Sequence, residues 1–219
     1  RAREARPLLV KELSERVAGM PGVVNLGQGA PCLPAFEPAR AAMADLARAG
    51  RLPYSDVAGM PEAREAAARF MAAHYGLPEA RPENVLITPG GIGACFAALA
   101  LVVESPEDVV LTTAPAYGLY GAQAAYFGGR LRAVEDLRAG MAPDVRAVVL
   151  CAPNNPTGAC LTDEEAAGLA AFLDDHLRRQ ADFLLVLDEV YYGIQPRGPH
   201  VSLLRHASDA LRRRTCVVL

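Results

Sequence analysis

Ala147-Val148-Val149-Leu150-Cys151 runs into Pro153-Asn154-Asn155-Pro156-Thr157-Gly158, and farther on a second apolar run, Phe183-Leu184-Leu185-Val186-Leu187, ends on Asp188-Glu189-Val190-Tyr191. Both runs are too short for a typical helix and are bounded by turn formers or by a carboxylate, so they read as strands. They are apolar without alternation, the pattern of strands covered on both faces in a parallel sheet. Working outward, Val85-Leu86-Ile87-Thr88 and Val109-Val110-Leu111-Thr112 read the same way. Leu131 to Val134 is a weaker strand, and another begins at Thr215.

Helical signals fill the intervals. Residues 7–20 carry a stripe of Leu8, Leu9, Leu13 and Val17, and residues 37–48 also suit a helix. Pro61 opens a helix that runs to Tyr75, with Gly76 placed to cap it. Further helices are expected over 91–103, up to Phe127, and over 202–212. Thr162 with Glu165 forms a capping box for a helix reaching Arg179. Strands alternating with helices predict an α/β fold, a three-layer α/β/α sandwich with a mostly parallel sheet.

Composition narrows the function classes. The chain has 219 residues, 52% hydrophobic, and a formal net charge of −3. That balance supports a sizeable core and gives no reason to expect nucleic acid as a partner. No run approaches the length needed to span a bilayer, so no membrane partner is expected. The cysteines, at 32, 95, 151, 160 and 216, are odd in number and lack metal-ligand or redox spacing. Cys95 and Cys151 read as small core residues, and a reducing, cytoplasmic setting fits them best. Arg212, Arg213 and Arg214 read as a solvated helix end. The chain opens on Arg1 and closes inside Val217-Val218-Leu219, so it is expected to be part of a longer protein.

In an open parallel sheet, ligands sit beyond the carboxyl ends of the strands. Four stretches stand there. Thr88-Pro89-Gly90-Gly91-Ile92-Gly93 is either a plain tight turn or an anion site at a helix N-terminus. Tyr117 either packs on its helix or offers a face to a planar ring. Asn155 lies in a turn-forming loop, and its amide can donate to an oxygen at the sheet edge. Asp188 either caps a helix or makes a rim salt bridge, or it meets a cationic or donor partner at the site, since a carboxylate on a buried strand is costly without one. Glu189 reads as its solvated neighbour. Together they offer an anion cradle, an aromatic platform, an amide donor, a buried acid and a phenol on one rim. That set fits a planar, phosphorylated, protonated heteroaromatic cofactor.

At this point the sequence resembles the class I/II aminotransferases, the fold-type I pyridoxal-phosphate enzymes, over residues 23–219. The resemblance rests on Asn25-Leu26-Gly27-Gln28-Gly29-Ala30-Pro31, Tyr54 with Gly59, Thr88 to Gly93, Pro115 with Tyr117 and Tyr120, Asn155-Pro156-Thr157-Gly158 and Asp188-Glu189-Val190-Tyr191. It implies pyridoxal 5′-phosphate as cofactor. Asp188 would pair with the ring nitrogen, Asn155 and Tyr191 would donate to the phenolic oxygen, and Tyr117 would stack on the ring. Gly90, Gly91 and Ile92 would offer amides to the phosphate, without the hydroxyl residue the family often carries there. Tyr54 would reach the phosphate of a neighbouring subunit, implying a homodimer of the full-length protein, and Gly29 would contact the substrate carboxylate. Residues 1–48 would form an N-terminal arm and small-domain segment, and 49–219 the cofactor-binding large domain. The departure is the lysine that forms the Schiff base with the cofactor, which in the family follows the Asp-x-x-Tyr by some thirty-odd residues. Lys11 is the only lysine and stands elsewhere.

The reaction implied is amino-group transfer between an amino acid and a 2-oxo acid. Other chemistry on the same fold (a lyase, a decarboxylase, an aminocyclopropane-carboxylate synthase) needs the same ring contacts. A non-catalytic cofactor-binding paralogue or regulator is the third reading, and a lysine soon after Leu219 would separate it from an enzyme.

Overall fold

A computed structural model describes residues 9–27, 29, 33–50, 54–77, 80–179, 183–194 and 198–219. The chain divides between Val57 and Ala58 into two compact units. The sequence-based boundary at 48/49 falls nine residues earlier, at the end of a helix.

The N-terminal unit holds α1 (Leu9–Val17) and α2 (Glu37–Ala49). Pro38 sits in the first turn of α2, where its missing N–H goes unneeded. Gly50 ends the helix at φ 64°, and its N–H bonds to Ala47 O at 3.2 Å. The expected first helix, 7–20, is thus shorter where it is described, and residues 7 and 8 lie outside the described residues.

The C-terminal unit is built on a five-stranded sheet in the order β2-β1-β3-β4-β5, every pair parallel. Its strands are β1 (Val109–Thr113), β2 (Arg130–Val134), β3 (Val145–Cys151), β4 (Leu184–Asp188) and β5 (Thr215–Val218). Its helices are α3 (Pro61–Tyr75), α4 (Gly90–Leu99), α5 (Leu119–Phe127), α6 (Leu137–Gly140), α7 (Asp163–Arg179) and α8 (Asp209–Arg212). Successive strand residues point to opposite faces, and the core splits accordingly. Leu185 and Leu187 join Tyr75 of α3, Leu137 of α6, Leu173 of α7 and Leu211 of α8 on one face. Val149, Cys151 and Val186 join Cys95 and Leu99 of α4 and Tyr120 and Ala124 of α5 on the other. The result is the three-layer α/β/α sandwich expected.

The capping box at α7 is present in full. Thr162 N donates to Glu165 Oε2 at 2.8 Å, and Glu165 N donates to Thr162 Oγ1 at 3.2 Å. These bonds hold the Glu165 carboxyl below the usual range.

Two expected elements differ. Residues 85–88 form no strand: Leu86 and Ile87 are exposed, and Ile87 N donates to Ala58 O at 2.9 Å without a ladder around it. An apolar run becomes a strand only where a neighbour offers a matching edge. The expected helix over 202–212 is broken into a 3-10 turn, Leu203–Arg205, and α8. Ser208 breaks it by capping α8, its Oγ accepting from Leu211 N at 3.2 Å, while its own N–H donates to buried Asp174 at 3.0 Å.

Candidate active site

The carboxyl ends of β3 and β4 carry the site. The ladder sets Cys151 beside Asp188 and Asp188 beside Val218. The row continues one residue on, Ala152 N donating to Asp188 O at 3.1 Å and Glu189 N to Val218 O at 2.9 Å. Asp188 therefore leaves the sheet at a fixed height and on the face covered by α4 and α5.

A cavity of about 260 Å³ opens there, lined by Gly91, Ile92, Cys95, Tyr117, Leu119, Tyr120, Gln123, Cys151, Asn155, Asp188, Val190 and Tyr191. The structure brings Asp188, Asn155, Tyr191 and Tyr117 to one place from three loops. Gly91 and Ile92 join them. Gly90 does not line the cavity; at φ 71° it turns the chain, and its N–H is taken by Thr88 O at 2.7 Å. The expected three-amide cradle is thus reduced at Gly90. A Cβ on Gly91 would overlap Val190 Cγ1 and meet Val218 Cγ1 at 3.3 Å, so only glycine lets α4 start this close to the sheet edge. Gly29 and Tyr54 belong to the N-terminal unit, and Tyr54 is fully exposed.

Asp188 is only 6% exposed. Its donors are the Tyr120 hydroxyl and the Cys95 thiol (Sγ to Oδ2, 3.8 Å), with a long contact from Val190 N to Oδ1 at 3.4 Å. All three are neutral. Burial, then the Asp188 charge, pushes the Cys95 thiol up to about 12 and pushes the Tyr120 phenol up as well. A carboxylate this buried and met by neutral hydrogen-bond donors suits a cationic partner.

The other groups are placed just as locally. Asn154 staples its loop, its Oδ1 accepting from Thr157 N at 3.2 Å and from Thr157 Oγ1 at 2.9 Å. That leaves Asn155 free to point at the site, where its Nδ2 donates to the Tyr191 hydroxyl at 3.1 Å. The hydroxyl proton and the second amide proton remain available. Tyr117 stands edge-on to Tyr120, centroids 5.8 Å apart, and its phenol is pushed up by burial, then by its neighbours Tyr191 and Asp188. Gln123 Nε2 donates to Ile92 O at 3.0 Å, while its buried Oε1 has no partner.

The sequence assigns Tyr120, Cys95 and Gln123 no part in the site: Cys95 reads as a core residue and Tyr120 only as one of the residues of the resemblance. The signal was helical spacing: Cys95 is four residues past Gly91, and Tyr120 and Gln123 stand three apart on α5. One expectation fails outright. Glu189 is not solvated but 1% exposed, because it faces the opposite layer from Asp188. There Tyr75 donates to its Oε2 at 2.6 Å, and His200 Nε2 lies 3.1 Å from the same oxygen.

Among the described residues no helix is long and apolar enough to cross a membrane, and no cluster of three or more acidic, cysteine or histidine residues could hold a metal.

Comparison with known proteins gives a consistent result. The family model for aminotransferase class I and II matches residues 21–214. A valine–pyruvate aminotransferase of Mycobacterium tuberculosis is 31% identical over 187 residues, covering 80% of this chain and 46% of its own length. An aspartate/prephenate aminotransferase of Thermus thermophilus is 33% identical over 185 residues, covering 79% of this chain and 45% of its own. The structure of aspartate aminotransferase from Thermus thermophilus with maleate matches with a TM-score of 0.84 at 28% identity, over 99% of this chain and 58% of that one. N-succinyldiaminopimelate aminotransferase from Mycobacterium tuberculosis matches at 0.84 and 29% identity, over 98% and 57%. The chain spans about half the length of the curated relatives it matches.

Proposed function

Because this chain belongs to the aminotransferase class I and II family, we propose that it forms the pyridoxal 5′-phosphate-binding part of a transaminase that moves an amino group between an amino acid and a 2-oxo acid. The observation that carries this reading is Asp188: a nearly buried carboxylate at the rim of a parallel sheet, met by neutral donors and opening on a cavity. A protonated ring nitrogen is the cation such a group calls for. When bound, the cofactor supplies a ring that takes up the electron pair left at the substrate carbon.

The chain's own residues do the rest. Asp188 would hold the proton on the ring nitrogen, with its Oδ2 occupied by Tyr120 and Cys95. Asn155 and Tyr191, already joined to each other, would each donate a remaining proton to the phenolic oxygen. Tyr117 would cover one ring face and exclude water from it. The amides of Gly91 and Ile92 at the start of α4 would meet the phosphate, aided by the helix dipole. Tyr54 would serve the phosphate of a partner subunit in a homodimer, and Gly29 the substrate carboxylate. Residues 1–48 would act as arm and small-domain segment and 49–219 as large domain. A cytoplasmic setting agrees with the free thiols of Cys95, Cys151, Cys160 and Cys216.

Pyridoxamine 5′-phosphate tests the site directly, because it carries its own amine and needs no lysine to bind. Saturable binding at one site per chain, lost in Asp188→Ala, is the expected result. Equal binding by Asp188→Ala and the unaltered chain would sink the reading. Transfer is then measured with amino acids and 2-oxo acids on the longest product of the gene.

A further inference from the structure

The segment 188–192 has two sides. Asp188 and Tyr191 line the cavity. Glu189 is buried on the other side of the sheet, and Tyr192 packs there too, in a group of aromatic and titratable side chains the proposed chemistry does not use. Glu189 Oε2 accepts from the Tyr75 hydroxyl at 2.6 Å and lies 3.1 Å from His200 Nε2. Tyr192 stacks on Tyr75 at 5.8 Å, meets the His200 ring edge-on at 4.9 Å and bonds through its hydroxyl to His74 Nδ1 at 3.0 Å. Burial, then the Glu189 charge, pushes the Tyr75 phenol far up, so it stays a donor.

The backbone joins the two sides. Glu189 N is tied to Val218 O, Tyr192 N donates to Glu189 O at 2.8 Å, and Ile194 N donates to Tyr191 O at 3.1 Å. One turn thus carries a buried carboxylate anchored from α3 on its outer side and presents Asp188 and Tyr191 on its inner side. A carboxylate buried this deeply is expensive, and an exposed glutamate would cost nothing. A purely filling role would suit an apolar residue better.

We infer that Glu189, anchored by Tyr75, is a positioning residue that fixes Asp188 and Tyr191 for the ligand in the cavity. This rests on the cofactor reading above, but its first test does not. Amide exchange is followed by NMR in the ligand-free protein and in Tyr75→Phe, which removes one hydroxyl and keeps the ring stack. The amides of Tyr192 and Ile194 should exchange about tenfold faster in the variant, the loss of one hydrogen bond to a charged group, while those of Val148 and Val149 in β3 stay unchanged. Unchanged exchange in the turn, or equal acceleration throughout the sheet, overturns the inference. The second test uses pyridoxamine 5′-phosphate. Tyr75→Phe should weaken its binding about tenfold when Tyr191 is present and by clearly less in a Tyr191→Phe background, where only the path through Asp188 remains. A full, additive loss in that background also overturns it. If the unaltered protein does not bind the probe, the cofactor reading fails, and the exchange experiment still decides whether Glu189 positions the turn.

Discussion

Replacing Asp188 with asparagine separates a binding role from a structural one, because the two predict opposite signs. The side chain is nearly buried, and its donors, Tyr120 and Cys95, are neutral. Asparagine keeps an oxygen for them and takes the carboxylate out of a nearly buried position. Ligand-free stability should therefore stay level or rise, as when buried charge is removed. Binding should move the other way. Two unit charges at about 4 Å in an effective dielectric of about 20 attract by roughly 4 kcal/mol, which corresponds to about three pKa units on the ring nitrogen. Affinity for pyridoxamine 5′-phosphate at pH 7 should then fall by a hundredfold to about a thousandfold. Thermal unfolding without ligand and a binding titration on the same sample give both numbers. A variant that melts much lower yet binds the probe as tightly as before would refute the assignment of Asp188 to the ligand.

Other expectations concern the frame around it. Gly91→Ala should cost about 1–3 kcal/mol in denaturant unfolding, from the overlap with Val190 and Val218, and should weaken probe binding; a silent substitution would show that α4 need not approach the sheet edge. Thr162→Ala should cost about 1 kcal/mol through loss of the cap on α7. Because the Glu165 carboxyl is held low in the folded chain, its contribution is complete above the ordinary glutamate range and disappears as pH falls through the lowered value; a Glu165→Ala penalty that grew in acid would contradict this. Iodoacetamide at pH 8 should label exposed Cys160 well before Cys95, whose thiol is pushed up to about 12, and peptide mapping that found Cys95 labelled first would count against the buried contact with Asp188.

The placement of Asp188, Asn155, Tyr117 and Tyr191 on one rim was legible because each follows an apolar run that forms a buried strand, and strand ends in a parallel sheet share a rim. The capping box of α7 was legible because all its parts lie within four residues. What could not be read depends on residues far apart in the chain. Val85–Thr88 has the composition of a strand, but pairing is decided by a neighbour, and none flanks it among the described residues. Glu189 looked solvated because its anchor, Tyr75, stands 114 positions earlier. The bonds from Tyr120 and Cys95 to Asp188 likewise span 68 and 93 positions, and nothing in the local sequence announces them.

The alternation of Asp188 and Glu189 between two layers has a consequence for how this segment can change over generations. Single substitutions alter one side of the sheet and leave the other standing. Losing or gaining one residue inside β4 would instead exchange the sides, swinging the Tyr75 partner into the cavity and the cavity's acid into the aromatic cluster. Lineages carrying this fold should therefore vary the residues of this strand far more readily than its length, and accumulate their insertions in the loops on either side.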